Sequence, residues 1–133
     1  MITWRGPRFM IHRAARWVLD HGPKFVVIKK GEHGAAMVSG GKTFYVPAFP
    51  LEDVFDPTGA GDAFAGGFMG HIARVGRIDD ATLRLAMVYG SAMGSFAVER
   101  FSIQRLLEID TSDIRKRLTE FRRLVAYEED LPA

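Results

Sequence analysis

The residues best suited to chemistry lie in one short stretch, Asp56-Pro57-Thr58-Gly59-Ala60-Gly61-Asp62. Pro57 ends regular strand pairing because it has no backbone N–H, and Gly59 and Gly61 accept backbone angles that a Cβ would forbid. The apolar residues that follow recur at helical spacing: Phe64, Phe68, Ile72 and Val75. The stretch therefore predicts a turn, poor in side chains, that delivers backbone N–H groups to the positive end of a helix, which is an anion site.

The carboxylate of Asp62 stands on the same turn. An acid there repels a phosphate, so it does not suit a site that only binds anions. It does suit phosphoryl transfer, in which a carboxylate accepts the proton of an attacking hydroxyl while amides stabilise charge on the group under attack. The alternative is an Asp that only caps the helix. Glycines at fixed positions before it, and the Gly66-Gly67 pair after it, favour the catalytic interpretation.

The stretch Asp56–Asp62 resembles the second signature of the PfkB-type carbohydrate kinases, the ribokinase-like family that includes adenosine kinases. The family pattern is Asp-Thr-x-Gly-Ala-Gly-Asp, and this chain departs from it at the second position, where Pro57 replaces Thr. The resemblance runs from about Phe25 to about Val125 and includes the order of elements. It implies that Asp62 is the catalytic base. It also implies that the amides of Gly59, Ala60 and Gly61 form the anion hole for the transferred phosphate.

The resemblance also places the loop Lys29-Lys30-Gly31-Glu32 beside the phosphates of ATP. Lys29 would supply positive charge to the phosphates, and Gly31 would allow close approach of the backbone. A plain turn with solvated lysines is the alternative. Thr58 and Ser91 complete the nucleotide contacts that the resemblance implies.

The adenine wall of the family falls on the loop Val46–Leu51 and on the helix near Ser91, although core packing explains these residues equally well. Asp56 matches the position at which many family members bind a monovalent cation, so the resemblance implies K⁺ beside ATP and Mg²⁺. The family's partner loop carries small residues after an Arg, whereas Arg100 is followed here by Phe101-Ser102. An Asx-type turn is therefore an equal alternative for Asp56.

The composition is that of an ordinary globular protein of one domain at most, with 133 residues, 47% hydrophobic and 26% charged. The absence of Cys excludes a disulfide scaffold and a thiolate metal site. A net charge of +2 is too small to indicate a nucleic-acid partner, and the four histidines are not paired at metal-ligand spacing. No apolar run is long enough to span a bilayer, and the N-terminus lacks the features of a signal peptide. We therefore expect a cytoplasmic protein with no nucleic-acid and no membrane partner.

The element order predicts an α/β fold, and the resemblance implies a ribokinase-like three-layer α/β/α sandwich. Residues 1–133 would form a single partial domain, its C-terminal nucleotide-binding half, with a mixed sheet. The predicted helices cover Phe9–Asp20, Ala63–Val75, Ala81–Val98 and Ser112–Val125, and the predicted strands cover Phe25–Lys29 (buried and parallel), Ala35–Ser39, Lys42–Val46 and Val54-Phe55.

Three further expectations concern packing. The first helix and strand form half of a βαβ unit, whose first strand we expect before Met1. Phe9 and Trp17 are expected in the core or, in a truncated chain, in an exposed apolar patch. The basic residues of the last helix are expected on a solvated outer face: Arg115, Lys116, Arg117, Arg122 and Arg123.

The resemblance thus implies transfer of the γ-phosphoryl group of ATP, with Mg²⁺, to a hydroxymethyl group of a sugar or nucleoside. Members of the resembled family are about twice as long, and the remaining half would hold most of the acceptor pocket and the lid. We therefore expect the isolated chain to be weak or inactive. A catalytically silent nucleotide- or partner-binding fragment is the alternative. An unpaired sheet edge also predicts self-association. The identity of the acceptor does not follow from these residues.

Overall fold

The computed structural model describes residues 1–3, 10–54, 56–100, 104–129 and 132. Its strands are β1 (Ile2–Thr3), β2 (Val26–Lys29), β3 (Ala35–Ser39) and β4 (Lys42–Val46). Its helices are α1 (Ile11–Leu19), α2 (Ala60–Val75), α3 (Asp80–Ala97), α4 (Gln104–Glu108) and α5 (Thr111–Val125), and a 3₁₀ turn covers Gly31–His33. Within this described part, none of the helices combines the length and the apolar character that crossing a membrane requires.

The four strands form one mixed sheet in the order β1-β2-β3-β4. β1 runs parallel to β2, with Ile2 opposite Ile28, whereas β2–β3 and β3–β4 are antiparallel. The predicted mixed sheet is therefore confirmed. The expectation that the first strand lies before Met1 is wrong, because Ile2–Thr3 occupies that position. The prediction that β2 is a parallel strand is correct only for its β1 side.

The hairpin between β3 and β4 has the predicted bounds and turns across Gly40-Gly41. Ser39 lies opposite Lys42, so the loop has two residues. Both glycines have positive φ, 52° and 81°, which is the requirement of a type I′ turn and explains why the turn selects glycine at both positions.

Successive side chains of a strand point to opposite faces of the sheet, and helices cover both faces. On one face, Val26, Ile28 and Val38 form a buried cluster with Ile11 and Ala15 of α1. The other face contributes Val27, Ala35, Met37 and Val46, which pack with Phe64, Phe68, Ile72, Leu83, Ala86, Met87, Ala92 and Phe121 from α2, α3 and α5. The predicted arrangement of helices on either side of a sheet is therefore present in the described residues.

The helices α2 and α3 pack unusually closely through glycine. A Cβ added at Gly90 would lie 3.0 Å from the Phe64 ring, and one added at Gly94 would lie 3.3 Å from the Ala60 carbonyl oxygen. The small residues of α3 therefore allow α2 to pack closely against it. Because Ala60 is the first residue of α2, the contact with Gly94 also fixes the start of that helix relative to α3.

Three expectations about single residues have different outcomes. Trp17 is 64% exposed, so its expected place in the core is wrong and the exposed alternative is correct. The physical reason is phase: α1 buries Ile11 and Ala15, one turn apart, and a residue two positions further on points away from that stripe. Phe9 and Phe55 lie outside the described residues, and Val54 is exposed and in no strand.

The basic residues of α5 divide into two groups. The four that are exposed, as predicted, are Arg115, Lys116, Arg122 and Arg123. Arg117 is the exception, because its side chain is only 12% exposed and pairs with Glu99. The helix begins with a capping box in which Asp110 and Asp113 each accept a hydrogen bond from the other's backbone amide.

Candidate functional site

The glycine turn at the start of α2 presents backbone amides to solvent. Gly59 is the residue before the helix and has φ of +85°, a left-handed conformation that a residue with a Cβ adopts only with strain. The Ala63 amide donates to the Gly59 carbonyl at 2.9 Å, which begins the helical ladder. No acceptor is found among the described residues for the amides of Gly59, Gly61 and Asp62. The turn thus holds the unpaired donors that an anion site needs.

One of the three predicted anion-hole amides is engaged. The Ala60 amide donates to the Pro57 carbonyl at 3.3 Å, a long bond that closes the turn. The Gly59 and Gly61 amides have no acceptor among the described residues, and neither has the Asp62 amide, a donor that sequence reasoning missed. Its signal was available, because the first four N–H groups of any helix lack partners within the helix.

Asp62 lies in the first turn of α2 with its residue exposed. No hydrogen bond from a backbone amide of this turn to the Asp62 carboxylate is found among the described residues. The Asp62 carboxylate and the amides without a described acceptor belong to the same turn. The arrangement can therefore bind an anion and accept a proton beside it.

Lys29 reaches this turn from the end of β2. It shares the sheet face that packs against α2 and α3, since it pairs with the buried Ala35. Its ammonium lies so close to Gly61 that a Cβ added there would overlap Lys29 Nζ. The structure thus brings together the two predicted phosphate-binding elements, and it places a positive charge at the free amides.

The neighbouring loop is a tight 3₁₀ turn. Gly31 begins it with φ of +59°, the Lys30 amide donates to the Gly34 carbonyl at 2.8 Å, and the Gly34 amide donates to Gly31 at 3.2 Å. Gly31 is exposed, so its backbone is accessible, and its contact with phosphate stays a prediction. The Lys30 ammonium lies 4.9 Å from the centre of the Tyr45 ring.

Asp56 forms the Asx-type turn that was the alternative to cation binding. Its Oδ1 accepts from the Thr58 amide at 2.9 Å, and hydrogen bonds from the Thr58 amide and side chain lower the pKa of this carboxyl. Thr58, a predicted nucleotide contact, is thus held by Asp56. The partner loop at Phe101-Ser102 lies outside the described residues. Within the described ranges, no three His, Cys, Asp or Glu residues are grouped to hold a metal ion.

Ser91 is buried and donates to the Pro47 carbonyl at 2.8 Å. The structure therefore joins α3 to the loop after β4, but the Ser91 hydroxyl serves the protein itself, as the core-packing alternative predicted.

An open groove of about 500 Å³ lies beside the loop that follows β4. It is lined by Lys30, His33, Tyr45, Val46, Pro47, Ala48, Pro50, Leu124 and Val125. The contribution of Leu124 and Val125 was missed, because it depends on where α5 ends in space and no local pattern signals it.

Comparisons with known proteins agree with this geometry. Residues 10–110 match the pfkB family of carbohydrate kinases. The cytidine kinase of Thermococcus kodakarensis is 43% identical over 76 residues, which cover 56% of this chain and 27% of that protein. The 5-dehydro-2-deoxygluconokinase of Listeria monocytogenes is 32% identical over 114 residues, covering 85% of this chain and 31% of that protein.

A solved structure shows the same fold. The aminoimidazole riboside kinase of Salmonella enterica, crystallised with aminoimidazole riboside and an ATP analogue, superposes with a TM-score of 0.69 and 30% identity. The match covers 81% of this chain and 36% of that one, so this chain spans about a third of the length of such relatives. On the match over residues 10–110 and this ribokinase-like structure, the chain belongs to the pfkB family of carbohydrate kinases.

Proposed function

We propose that this chain binds the phosphates of ATP and supplies the base for phosphoryl transfer to a hydroxymethyl group of a sugar or nucleoside. The observation that carries the proposal is the Lys29 ammonium lying against Gly61, at a helix start whose Gly61 and Asp62 amides have no described acceptor. A fixed cation and free amides at one point are the donors that a phosphate requires.

In the proposed reaction, Asp62 takes the proton of the acceptor hydroxyl as its oxygen bonds to the γ-phosphorus. The bond from that phosphorus to the β–γ bridging oxygen breaks, and ADP leaves. The Gly61 and Asp62 amides and Lys29 stabilise the charge on the phosphoryl oxygens. Mg²⁺ would arrive with ATP, held mainly by phosphates and water, and would neutralise part of that charge. Binding of K⁺ near Asp56 stays a prediction.

The base role is tested with Asp62→Asn, using Asp53→Asn, another exposed carboxylate, as the control. Calorimetry with MgATP measures binding, and an assay coupled to ADP release measures turnover on a panel of sugars and nucleosides. Where the chain alone shows no turnover, the same pair is made in a longer protein that contains it. We expect Asp62→Asn to lose turnover while its Kd for MgATP stays near that of the parent. Retained turnover would refute the base assignment.

A second function is a catalytically silent nucleotide- or partner-binding fragment. It is favoured by length, since the chain covers only 27% and 36% of two relatives, and we expect turnover of the isolated chain to be weak or absent. MgATP binding without ADP release on any acceptor of the panel would support this second function over the first.

Self-association is a further part of the proposal. In the described sheet, β4 is an end strand whose outer edge pairs with nothing, and open strand edges invite pairing with another chain. The exposed Trp17 adds apolar surface on α1. Light scattering at high concentration should report a mass above 14.8 kDa, and a monodisperse monomer would contradict this expectation.

A further inference from the structure

The guanidinium of Arg117 on α5 lies against two aromatic rings. Its guanidinium carbon lies 4.1 Å from the centre of the Phe96 ring and 4.3 Å from that of Phe49. It donates to Ser95 Oγ at 2.6 Å and to Glu99 Oε1 at 2.5 Å. Arginine presents a planar face and several donors at once, so a single side chain joins α5, the end of α3 and the segment after β4.

The charge of Arg117 is already balanced. Glu99 accepts from Arg117 through one oxygen and from Arg105 at 2.9 Å through the other. The hydrogen bond to Glu99 raises the pKa of Arg105, which stays cationic. These side chains are 12%, 20% and 26% exposed for Arg117, Glu99 and Arg105. A guanidinium that lies against two aromatic rings and is paired with carboxylates has little capacity for a ligand, so its role is to hold protein segments.

The segment held is the 47–50 loop, defined here as Pro47 to Pro50. Phe49 stacks on Arg117 and packs on Phe121, with 5.1 Å between ring centres, while Pro47 accepts from Ser91. The three other residues of this loop, Pro47, Ala48 and Pro50, line the open groove beside Lys30. Phe49 thus anchors the loop inward while its neighbours form the groove wall.

The phosphate turn has a different support. The start of α2 is set by the contact of Ala60 with Gly94, and no hydrogen bond or ring contact joins Arg117 to α2 in the described residues. Loosening the 47–50 loop therefore leaves the phosphate donors in place. The phosphate turn and the 47–50 loop can therefore be perturbed separately.

We propose that Arg117 is a positioning residue that sets the 47–50 loop for the nucleoside part of the bound nucleotide. The proposal rests on the proposed function, because it needs a nucleotide whose phosphates lie at Lys29. Arg117 acts through Phe49 and touches no substrate. Its removal weakens binding of ligands that carry a nucleoside and spares those that consist of phosphate alone.

The test compares MgATP with magnesium tripolyphosphate by calorimetry. The variants are Arg117→Lys, which keeps the charge beside Glu99 but loses the stacked plane, and Arg117→Met. Arg115→Lys, an exposed arginine on the same helix, is the matched control. Hydrogen exchange of the peptide 46–54, read against the peptide 60–75, reports loop order without any ligand and stays informative if Arg117→Met is partly unfolded.

We expect Arg117→Lys to raise the Kd for MgATP about tenfold, which corresponds to roughly 1.4 kcal/mol and lies within the range of a desolvated cation–π contact. The Kd for tripolyphosphate and the exchange of 60–75 stay unchanged, while exchange of 46–54 becomes faster. Arg115→Lys changes none of these.

Equal weakening of both ligands, or unchanged exchange at 46–54, would overturn the positioning role. A parent chain that binds tripolyphosphate as tightly as MgATP would overturn the inference and leave the phosphate site standing. A parent chain that binds neither ligand refutes the proposed function itself.

Discussion

The adjacent glycines Gly66 and Gly67 on α2 should respond to alanine with opposite signs. A Cβ at Gly66 meets nothing within 4 Å, whereas a Cβ at Gly67 would lie 2.7 Å from both Met93 Cγ and the Tyr89 carbonyl oxygen. Met93 is flexible and can move, but Tyr89 presents backbone. Gly67→Ala therefore forces α2 away from α3, and Gly66→Ala does not.

The magnitude follows from two opposing effects. Replacing a helix-interior glycine by alanine stabilises a helix by about 1 kcal/mol, and this applies to both positions. Inserting a methyl group into a filled contact is destabilising by about 2 kcal/mol, and this applies only to Gly67. We expect Gly66→Ala to raise the free energy of unfolding by about 1 kcal/mol and Gly67→Ala to lower it by about as much.

Urea unfolding followed by circular dichroism at 222 nm measures the two values. A gap of about 2 kcal/mol corresponds to roughly 8 °C in Tm for a domain of this size. Gly70→Ala, with nothing within 4 Å of its Cβ, is a second control that should match Gly66→Ala. If Gly66→Ala and Gly67→Ala shift stability in the same direction, the close packing of α2 on α3 is refuted.

Three further changes test the site and its frame. Lys29→Met should raise the Kd for tripolyphosphate about tenfold, as expected for a lost charge-assisted hydrogen bond, while Lys42→Met on the hairpin changes nothing; equal effects would remove Lys29 from the site. Gly61→Ala should displace the Lys29 ammonium and weaken phosphate binding with Tm kept, so a marked fall in Tm would contradict this reasoning. Burial and the neighbouring Arg74 lower the pKa of His71 from 6.5, so the unfolded chain protonates first and stability falls as pH drops below that value. His71→Phe should flatten the dependence in urea titrations from pH 7 to pH 5, and an unaltered slope would assign the effect elsewhere.

Features set by local chemistry were predictable from the sequence. The hairpin was predicted from two glycines between two strand-forming runs, and Gly40-Gly41 takes the positive φ values of that turn. The helix predicted from Ala81 begins at Asp80, and Asp79 caps it by accepting from the Thr82 amide at 2.8 Å. The hairpin turn and the helix cap each depend on residues a few positions apart, so the local sequence is enough to predict them.

Features set by contacts between distant segments were predicted less well. The strand Ile2–Thr3 has two residues, too few for any periodic pattern, and exists because β2 offers it an edge. The overlap of Lys29 Nζ with the Cβ position of Gly61 depends on how β2 lies against α2. The resemblance assigned both residues to phosphate, but the contact itself required the fold.

Arg117 shows that position around a helix predicts the exposure of a basic residue better than the number of basic residues does. Five basic residues suggested one solvated face, yet Arg117 lies one turn before the buried Phe121 and thus on the inward side of α5. The four exposed basic residues of the helix, Arg115, Lys116, Arg122 and Arg123, lie at other phases. Position relative to the apolar stripe therefore separates a structural arginine from a solvated one.

The phosphate turn and the 47–50 loop are held by different kinds of residue, so they should tolerate substitution differently. The phosphate end depends on missing side chains, since Gly94 admits the Ala60 carbonyl and Gly61 admits the Lys29 ammonium. The 47–50 loop depends on a large side chain, Arg117, that can be exchanged in several ways. A glycine can only be enlarged, which here crowds the Ala60 carbonyl or displaces the Lys29 ammonium. An arginine can be shortened in several steps. Phosphate binding should therefore be lost abruptly on substitution, and binding of the nucleoside part should vary continuously.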